Sequence, residues 1–308
     1  MNVLVTGSTG LVGSALVREL SGMGHGVARL VRPSTEGGGT GEARWDPESG
    51  IVSLGKGRRM DAVVHLAGEN IAGLAWTPER KATIRESRVK GTRLLCEALL
   101  RLERPPATLV CASATGYYGD RGEEVLREES PRGKGFLAGV CREWEEATGE
   151  AARRGMRVVN LRIGMVLSAE GGALAKMLPA FRAGAGGRIG SGKQYMSWIA
   201  LSDLVGVILS VLATDSLAGP VNAVAPGSVT NREFTKTLGR VLGRPTVAFL
   251  PAFAARLLFG EMADELLLAG ARVEPAKLVA SGYRFRFPEL EGALRHALGK
   301  QGEGRKSC

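Results

Sequence analysis

The sequence predicts an α/β chain: a doubly wound parallel sheet followed by a smaller, mainly helical C-terminal lobe. Three observations carry that prediction. Residues 2–6 (Asn-Val-Leu-Val-Thr) form a short buried-strand run that breaks on Gly7, Gly10 and Gly13 directly into a helical pattern, Leu11, Val12, Ala15, Leu16 and Leu20. Further short apolar runs at 27–31, 61–66, 108–111, 157–163 and 221–224 alternate with helical stretches, as βαβ units do. From Gly171 onward the pattern becomes irregular, and short helices run through to Leu298.

A strand that turns on glycine into a helix leaves backbone N–H groups and the positive end of the helix dipole facing outward, where a pyrophosphate binds. Gly7 allows the tight turn, Gly10 lets the backbone approach phosphates without a Cβ, and Gly13 lets the helix lie close on the sheet. Ser8, Thr9, Leu11 and Val12 supply the rest of the loop. The predicted fold is therefore Rossmann-type with a dinucleotide site; the alternative is a glycine-rich turn without a ligand. The spacing G-x-x-G-x-x-G, wider at the first gap than G-x-G-x-x-G, resembles the short-chain dehydrogenase/reductase superfamily, in particular its extended branch of epimerases and reductases.

The second strand, Val27 to Val31, ends at Arg32-Pro33. An acid at this strand end would hold the ribose 2′-hydroxyl of NAD, but the residues are Arg29, Leu30, Val31 and Arg32, and the first carboxylate is Glu36 in a glycine-rich loop. Arg32 offers a cation to a 2′-phosphate, which favours NADP(H); the alternative is an arginine capping a surface strand end. Ala43 to Trp45 reads as a short third strand ending at Asp46-Pro47. The resemblance places Asp46 against the adenine amino group, while an Asp-Pro turn explains it equally well.

Asp61 to Leu66 is the next buried strand, and its end, Leu66-Ala67-Gly68, resembles the H-x-A-G element of extended members, where small residues let the backbone pass close to a cofactor. His65 lies among core residues and reads as structural. Glu69-Asn70 follows at the carboxyl end of the sheet, where such folds bind ligands. In the long helix from Pro78 to Leu102, Arg88-Val89-Lys90-Gly91-Thr92 corresponds to the N-V-x-G-T segment of extended members, with Arg88 replacing the asparagine. Arg88 either reaches cofactor phosphates or belongs to a solvated face.

The strand 108–111 delivers Ser113-Ala114-Thr115-Gly116-Tyr117-Tyr118-Gly119. The superfamily's chemistry uses a serine or threonine here, then a tyrosine and a lysine four residues apart on the next helix, the lysine lowering the tyrosine pKa for proton exchange. Ser113 fits the first role, but none of the four tyrosines has a lysine four residues on. Aligning Glu145 with the glutamate beyond the usual lysine puts Leu137 at the tyrosine position and Cys141 at the lysine position. The set S-A-T-G-Y-Y-G, F-L-x-x-V-C-x-x-W-E, H-L-A-G-E-N and G-S-G-K-Q-Y-x-S-W-I resembles the bacterial "epimerase family" proteins of the extended branch, with their extra C-terminal domain, over nearly the whole chain. Tyr117 or Tyr118 is the candidate acid, with Ser113 orienting the substrate; either tyrosine can instead be packing beside the nicotinamide. Cys141 reads as a reactive thiol or an inert core residue, and Lys81, Arg121 and Lys134 are cations without a role.

Beyond strand 157–163, Gly164-Met165-Val166 corresponds to backbone that in extended members runs beside the nicotinamide end. The loop Gly184 to Trp198, with Gly, Ser, Gln, Tyr and Trp, suits a polar ligand stacked on an aromatic, or a plain crossover. The expected organisation is a Rossmann domain over 1–170 completed by parts of 195–225, a substrate lobe over 171–195 and 226–299, and a flexible tail at 300–308.

Composition bounds the rest. The 308 residues are 44% hydrophobic and 23% charged, as in a soluble globular protein with a packed core. No apolar run approaches membrane-spanning length, and strand one begins at residue 2, so a cytoplasmic chain without a membrane partner is expected. Four scattered cysteines and three distant histidines argue against a disulfide framework or a metal site. The net charge of +10 is spread along the chain with only 5% aromatics, which favours anionic small molecules over nucleic acid. The expected function is NADP(H)-dependent oxidation, reduction or epimerisation of a small polar substrate of sugar-like or carbonyl type. The rival is a non-catalytic NADP(H) redox sensor or protein-interaction module, which the missing tyrosine–lysine pair favours. The resemblance implies that a homodimer, if formed, pairs through the helices at 78–102 and 136–153.

Overall fold

The computed structural model describes residues 1–31, 43–46, 51–53, 59–72 and 76–300, with only the backbone described at 31, 44–46 and 51–53. Eight strands form the central sheet: β1 (Asn2–Thr6), β2 (Gly26–Val31), β3 (Ala43–Asp46), β4 (Ile51–Ser53), β5 (Ala62–His65), β6 (Thr108–Ala114), β7 (Arg157–Ile163) and β8 (Gly219–Ala223). Their order is β8-β7-β6-β5-β1-β2-β3-β4, parallel throughout except for the β3–β4 hairpin. β1 is the pivot. In register it sets Thr6 opposite Leu30 on one side and His65 on the other.

The helices are α1 (Leu11–Gly22), α2 (Pro78–Leu100), α3 (Phe136–Glu146), α4 (Gly149–Arg153), α5 (Gly172–Arg182), α6 (Leu201–Ala213), α7 (Asn231–Leu242), α8 (Ala252–Phe259), α9 (Ala276–Ala280) and α10 (Leu290–Ala297). Because strand side chains alternate, the sheet supplies two cores. Val3 and Val5 of β1 face Leu16 and Leu20 of α1 and Leu204, Val207, Ile208 and Val211 of α6. Leu4 faces the opposite layer, with Leu95 and Leu99 of α2 and Trp144 of α3. Each large apolar side chain so buried contributes about 1.5–3 kcal/mol, before the entropy of ordering it.

A third core belongs to the smaller lobe: Leu174, Leu178 and Phe181 of α5, Trp198, Phe234 and Leu238 of α7, and Leu290 and Leu294 of α10. Its longest helix, α7, opens on a reciprocal cap between Thr230 and Glu233 and stops at left-handed Gly243 (φ +67°).

The structure departs from the sequence reading in four places. The helix expected over 136–153 is two, α3 and α4, parted at Ala147 and Thr148. β6 continues to Ala114, so Ser113 lies within a strand, followed by a tight 3₁₀ turn over Thr115–Tyr118. β4 is an added three-residue edge strand, too short to give a periodicity of its own. The glycine-rich stretch after 184 holds short strands: Gly187–Ile189 pairs with Ala248–Leu250, Tyr195–Met196 with Val229–Thr230, and Trp198–Ala200 with Met165–Leu167. Among the described residues no helix is long and apolar enough to cross a membrane.

Candidate functional site

The order of the sheet reverses between β1 and β5, and a ligand crevice opens outside the carboxyl ends of strands at such a point. The glycine loop sits there. Gly7 has φ +64°, and a Cβ on it would lie 2.8 Å from the Leu66 carbonyl carbon, so the turn passes directly against the end of β5. A Cβ on Gly13 would fall 2.1 Å from the Gly7 oxygen, which makes glycine the condition for α1 lying on the loop. Gly10 caps α1 in extended conformation, and among the described residues no side chain bonds the helix's first N–H groups. Thr9 and Gly10 are exposed, Ser8 is buried, and Leu11 and Val12 are half-buried. Leu11 reaches Gly171 and Gly172 at the start of α5, joining the loop to the second lobe. An uncapped helix start behind exposed, small-residue backbone fits a pyrophosphate.

The neighbouring loop is held from below. The Thr6 hydroxyl accepts the N–H groups of Leu66 and Ala67 (3.2 Å each) and lies 2.7 Å from His65 Nδ1. With two donors on its oxygen, Thr6 gives its own proton to Nδ1, which leaves the imidazole proton on Nε2, donated to Thr92 Oγ1 at 3.0 Å. The Trp144 indole donates to the same oxygen at 2.9 Å. Burial pushes the His65 pKa down to about 4, so it is a neutral strut tying β1, β5, α2 and α3 together.

Glu69 belongs to this loop as well, and Arg88 of α2 reaches it. Glu69 pairs with Arg80 (3.2 Å) and its N–H donates to Ser87 Oγ (3.2 Å). Arg88 donates to the carbonyls of Glu69 (2.8 Å) and Ile84 (3.1 Å), lies over the Trp144 ring, and would touch a Cβ on Gly68 at 3.5 Å. It therefore faces the Leu66–Glu69 loop and not a solvated helix face, and burial lowers its pKa. Arg32 lies outside the described residues, as does the Asp46 side chain.

From the end of β6 onward the chemistry is built differently. Ser113 Oγ donates to Glu145 Oε1 at 2.7 Å. Arg162, on the adjacent strand β7, donates to both oxygens of Glu145, from Nε at 2.8 Å and from Nη2 at 2.9 Å, forming a buried bidentate pair. Its Nη1 donates to the Tyr118 hydroxyl (2.9 Å) and the Glu128 carbonyl (3.1 Å). The Tyr118 hydroxyl also lies 2.7 Å from Asn222 Oδ1 and 2.9 Å from the Arg127 carbonyl. Tyr118 is fully buried, and burial raises its pKa to about 12. This corrects the sequence reading: Tyr118 is a structural post with an engaged hydroxyl, removed from the role of acid. Tyr117 differs. It is half-buried, its ring lies 3.5 Å under the Arg162 guanidinium and edge-on to Tyr118, and its hydroxyl bonds to no group among the described residues.

The positions of the usual tyrosine–lysine pair, Leu137 and Cys141, are both buried and both pack toward Gly116. Burial pushes the Cys141 thiol up to about 12, which makes it an inert core residue. The start of α3 is closed from the other end of the chain: Glu265 accepts the N–H groups of Phe136 (2.9 Å) and Leu137 (3.1 Å). Neither the Glu145–Arg162 pair nor Glu265 was singled out from sequence for these parts. A signal existed for the first, since an arginine inside the strand run Arg157–Ile163 must find an acid.

Gly164 is wedged against the Ser197 carbonyl, where a Cβ would stand 2.6 Å away, and Val166 pairs with Ile199 in register. Trp198 is fully buried and its indole donates to the Gly227 carbonyl, while Gln194 donates to the carbonyls of Ile189 and Leu267. Trp198 is therefore core and not a stacking platform. Lys81 and Arg121 are paired with Glu261 and Glu124.

Comparison with known proteins follows this geometry. Residues 3–223 match the model of the NAD dependent epimerase/dehydratase family. The chain belongs to that family. Residues 250–297 match a domain of unknown function, DUF1731. The chain is 44% identical over 300 residues to an epimerase family protein of Mycobacterium bovis, covering 97% of this chain and 98% of that one. It is 37% identical over 306 residues to the human epimerase family protein SDR39U1, covering 97% and 100%. The crystal structure of the human protein (isoform 2) with NADPH superposes with a TM-score of 0.87 over 98% of this chain and 100% of that one, at 36% identity. UDP-glucose 4-epimerase of Thermus thermophilus, at 22% identity and a TM-score of 0.73, shares the fold.

Proposed function

We propose that the chain binds NADP(H) at the crevice between β1 and β5 and uses it to oxidise, reduce or epimerise a small polar substrate, sugar-like or carbonyl-bearing. The observation that carries this is the uncapped start of α1 behind Gly7, Gly10 and Gly13, supported by full-length similarity to a human protein crystallised with NADPH. The residues fit the group: the first N–H groups of α1 would hold the pyrophosphate, Leu66, Ala67 and Gly68 would line its passage, and Gly164 and Val166 would flank the far end of the crevice. Arg32 is assigned to the 2′-phosphate and Asp46 to the adenine amino group. Bound there, a nicotinamide supplies hydride chemistry.

Tyr117 is the proton-exchanging group in this reading. Arg162 holds its ring by stacking, and Ser113 is bound into the Glu145–Arg162 pair, where it positions and does not react. The test is turnover of NADPH across a panel of carbonyl compounds and sugar nucleotides. Tyr117→Phe should lower kcat about 10²–10⁴-fold while leaving NADPH affinity intact.

A second reading, an NADP(H) sensor without turnover, is favoured by the buried Leu137 and Cys141 at the pair positions. It predicts NADPH binding, no turnover on any member of the panel, and no effect of Tyr117→Phe.

A further inference from the structure

Five of the nine large apolar side chains that stand exposed among the described residues fall within positions 247–258. Val247, just before the short strand Ala248–Leu250, and Phe249 within it are 88% and 50% exposed. Phe253 and Leu257, one helical turn apart on α8, are 72% and 86% exposed, and Leu258 is 66% exposed. Isolated apolar residues on a surface need no explanation, but a run of this density marks an interaction face.

Val247 also borders a cluster of cations. A cavity of about 340 Å³ is lined by Arg188, Arg232, Lys236, Thr235, Thr246 and Val247 with Ala248, and no carboxylate lines it. Arg188 is held in place: its guanidinium lies over the Phe249 ring at 4.4 Å and donates to the Ser191 carbonyl at 3.3 Å. Arg232 reaches the same carbonyl at 3.5 Å. None of the three cations forms an ion pair among the described residues, whereas Arg256 on α8 is neutralised by Asp264. Val247 lines the cavity and Phe249 lies under Arg188, so the first part of the apolar run borders the cations.

We propose that this face docks the protein on an anionic lipid bilayer. Phe253 and Leu257 enter the headgroup region, and Arg188, Arg232 and Lys236 hold a lipid phosphate in the cavity with the two threonine hydroxyls. Charge decides against a second copy, because a two-fold pairing through this patch would bring both sets of unpaired cations into one interface. Exposure decides against an apolar peptide, because Phe253 and Leu257 are 72% and 86% exposed and neither lines the cavity. Among the described residues no helix is long and apolar enough to cross a membrane, so the contact proposed is peripheral. The inference does not rest on the dinucleotide reading.

Flotation of the full chain with vesicles tests it. The protein should float with vesicles of phosphatidylcholine containing about one third phosphatidylglycerol and stay behind with phosphatidylcholine alone, and added salt should release it. Leu257→Asp should weaken binding more than about tenfold and Arg232→Ala about fivefold, with unchanged melting curves because both side chains are exposed. Phe253→Ser serves as an independent second variant. The proposal is overturned by no flotation with either vesicle or by equal flotation with both. Binding of inorganic phosphate by the protein with no flotation on either vesicle would make the cavity a small-anion site and equally overturn it. A concentration-dependent dimer that Leu257→Asp dissociates, with no vesicle binding, would assign the face to a second copy and also overturn it.

Discussion

The glycine loop and the segment after β6 stand at the same end of one sheet and are built by opposite means. The loop is backbone: seven residues whose conformation follows from having no side chains where Gly7 meets Leu66 and where Gly13 meets Gly7. The segment after β6 is side chain: Ser113, Tyr118, Glu145 and Arg162 come from four separate elements and are ordered only once the sheet exists. The first is a local property of sequence, and the second depends on tertiary register.

The largest test of that contrast removes a charge from the side-chain network. Arg162→Met leaves the Glu145 carboxylate buried without its partner, and urea unfolding should show a loss of about 3–5 kcal/mol. Dinucleotide affinity of the folded protein should stay unchanged. If affinity falls in step with stability, the two regions are a single unit and the contrast fails.

Gly13→Ala probes the other side. Its Cβ meets backbone that cannot swing away, so stability should drop by about 1–3 kcal/mol and NADPH affinity by more than tenfold. Retained affinity would mean that close packing of α1 is not what forms the site.

The smallest effect is a slope. His65 joins the two regions, and its folded pKa of about 4 lies below the ordinary 6.5. Between these values the unfolded chain binds the extra proton, so its contribution is complete above about pH 6.5 and is lost at about 1.4 kcal/mol per pH unit as pH falls toward 4. Denaturant unfolding at pH 7 and pH 5 measures it, and His65→Gln should flatten the dependence.

What was legible in the sequence follows the same division. The strands of the sheet other than β4, the glycine loop and the strand end Leu66 to Gly68 come from short-range patterns, and each is present in the structure. The vacancy of the tyrosine–lysine positions was legible too, because it depends only on spacing. What filled the space was not. Arg162 pairs with a residue 17 positions earlier, and Glu265 caps a helix that begins 129 positions before it; no local period encodes either contact. Tyr117 and Tyr118 are adjacent and chemically identical in sequence, and only the strand register that brings Asn222 and Arg162 to Tyr118 separates the buried post from the accessible phenol. Trp198 was misplaced for a similar reason: a glycine-rich context suggests a loop, but its partner strand, Met165–Leu167, is more than thirty residues away.

The most direct measurement is calorimetric titration of the folded chain with NADPH and with NADH. The account predicts one NADPH site per chain, weaker binding of NADH, and loss of that preference in Arg32→Ala. Absence of binding by either dinucleotide would contradict it, because the open start of α1 would then be a turn without a ligand.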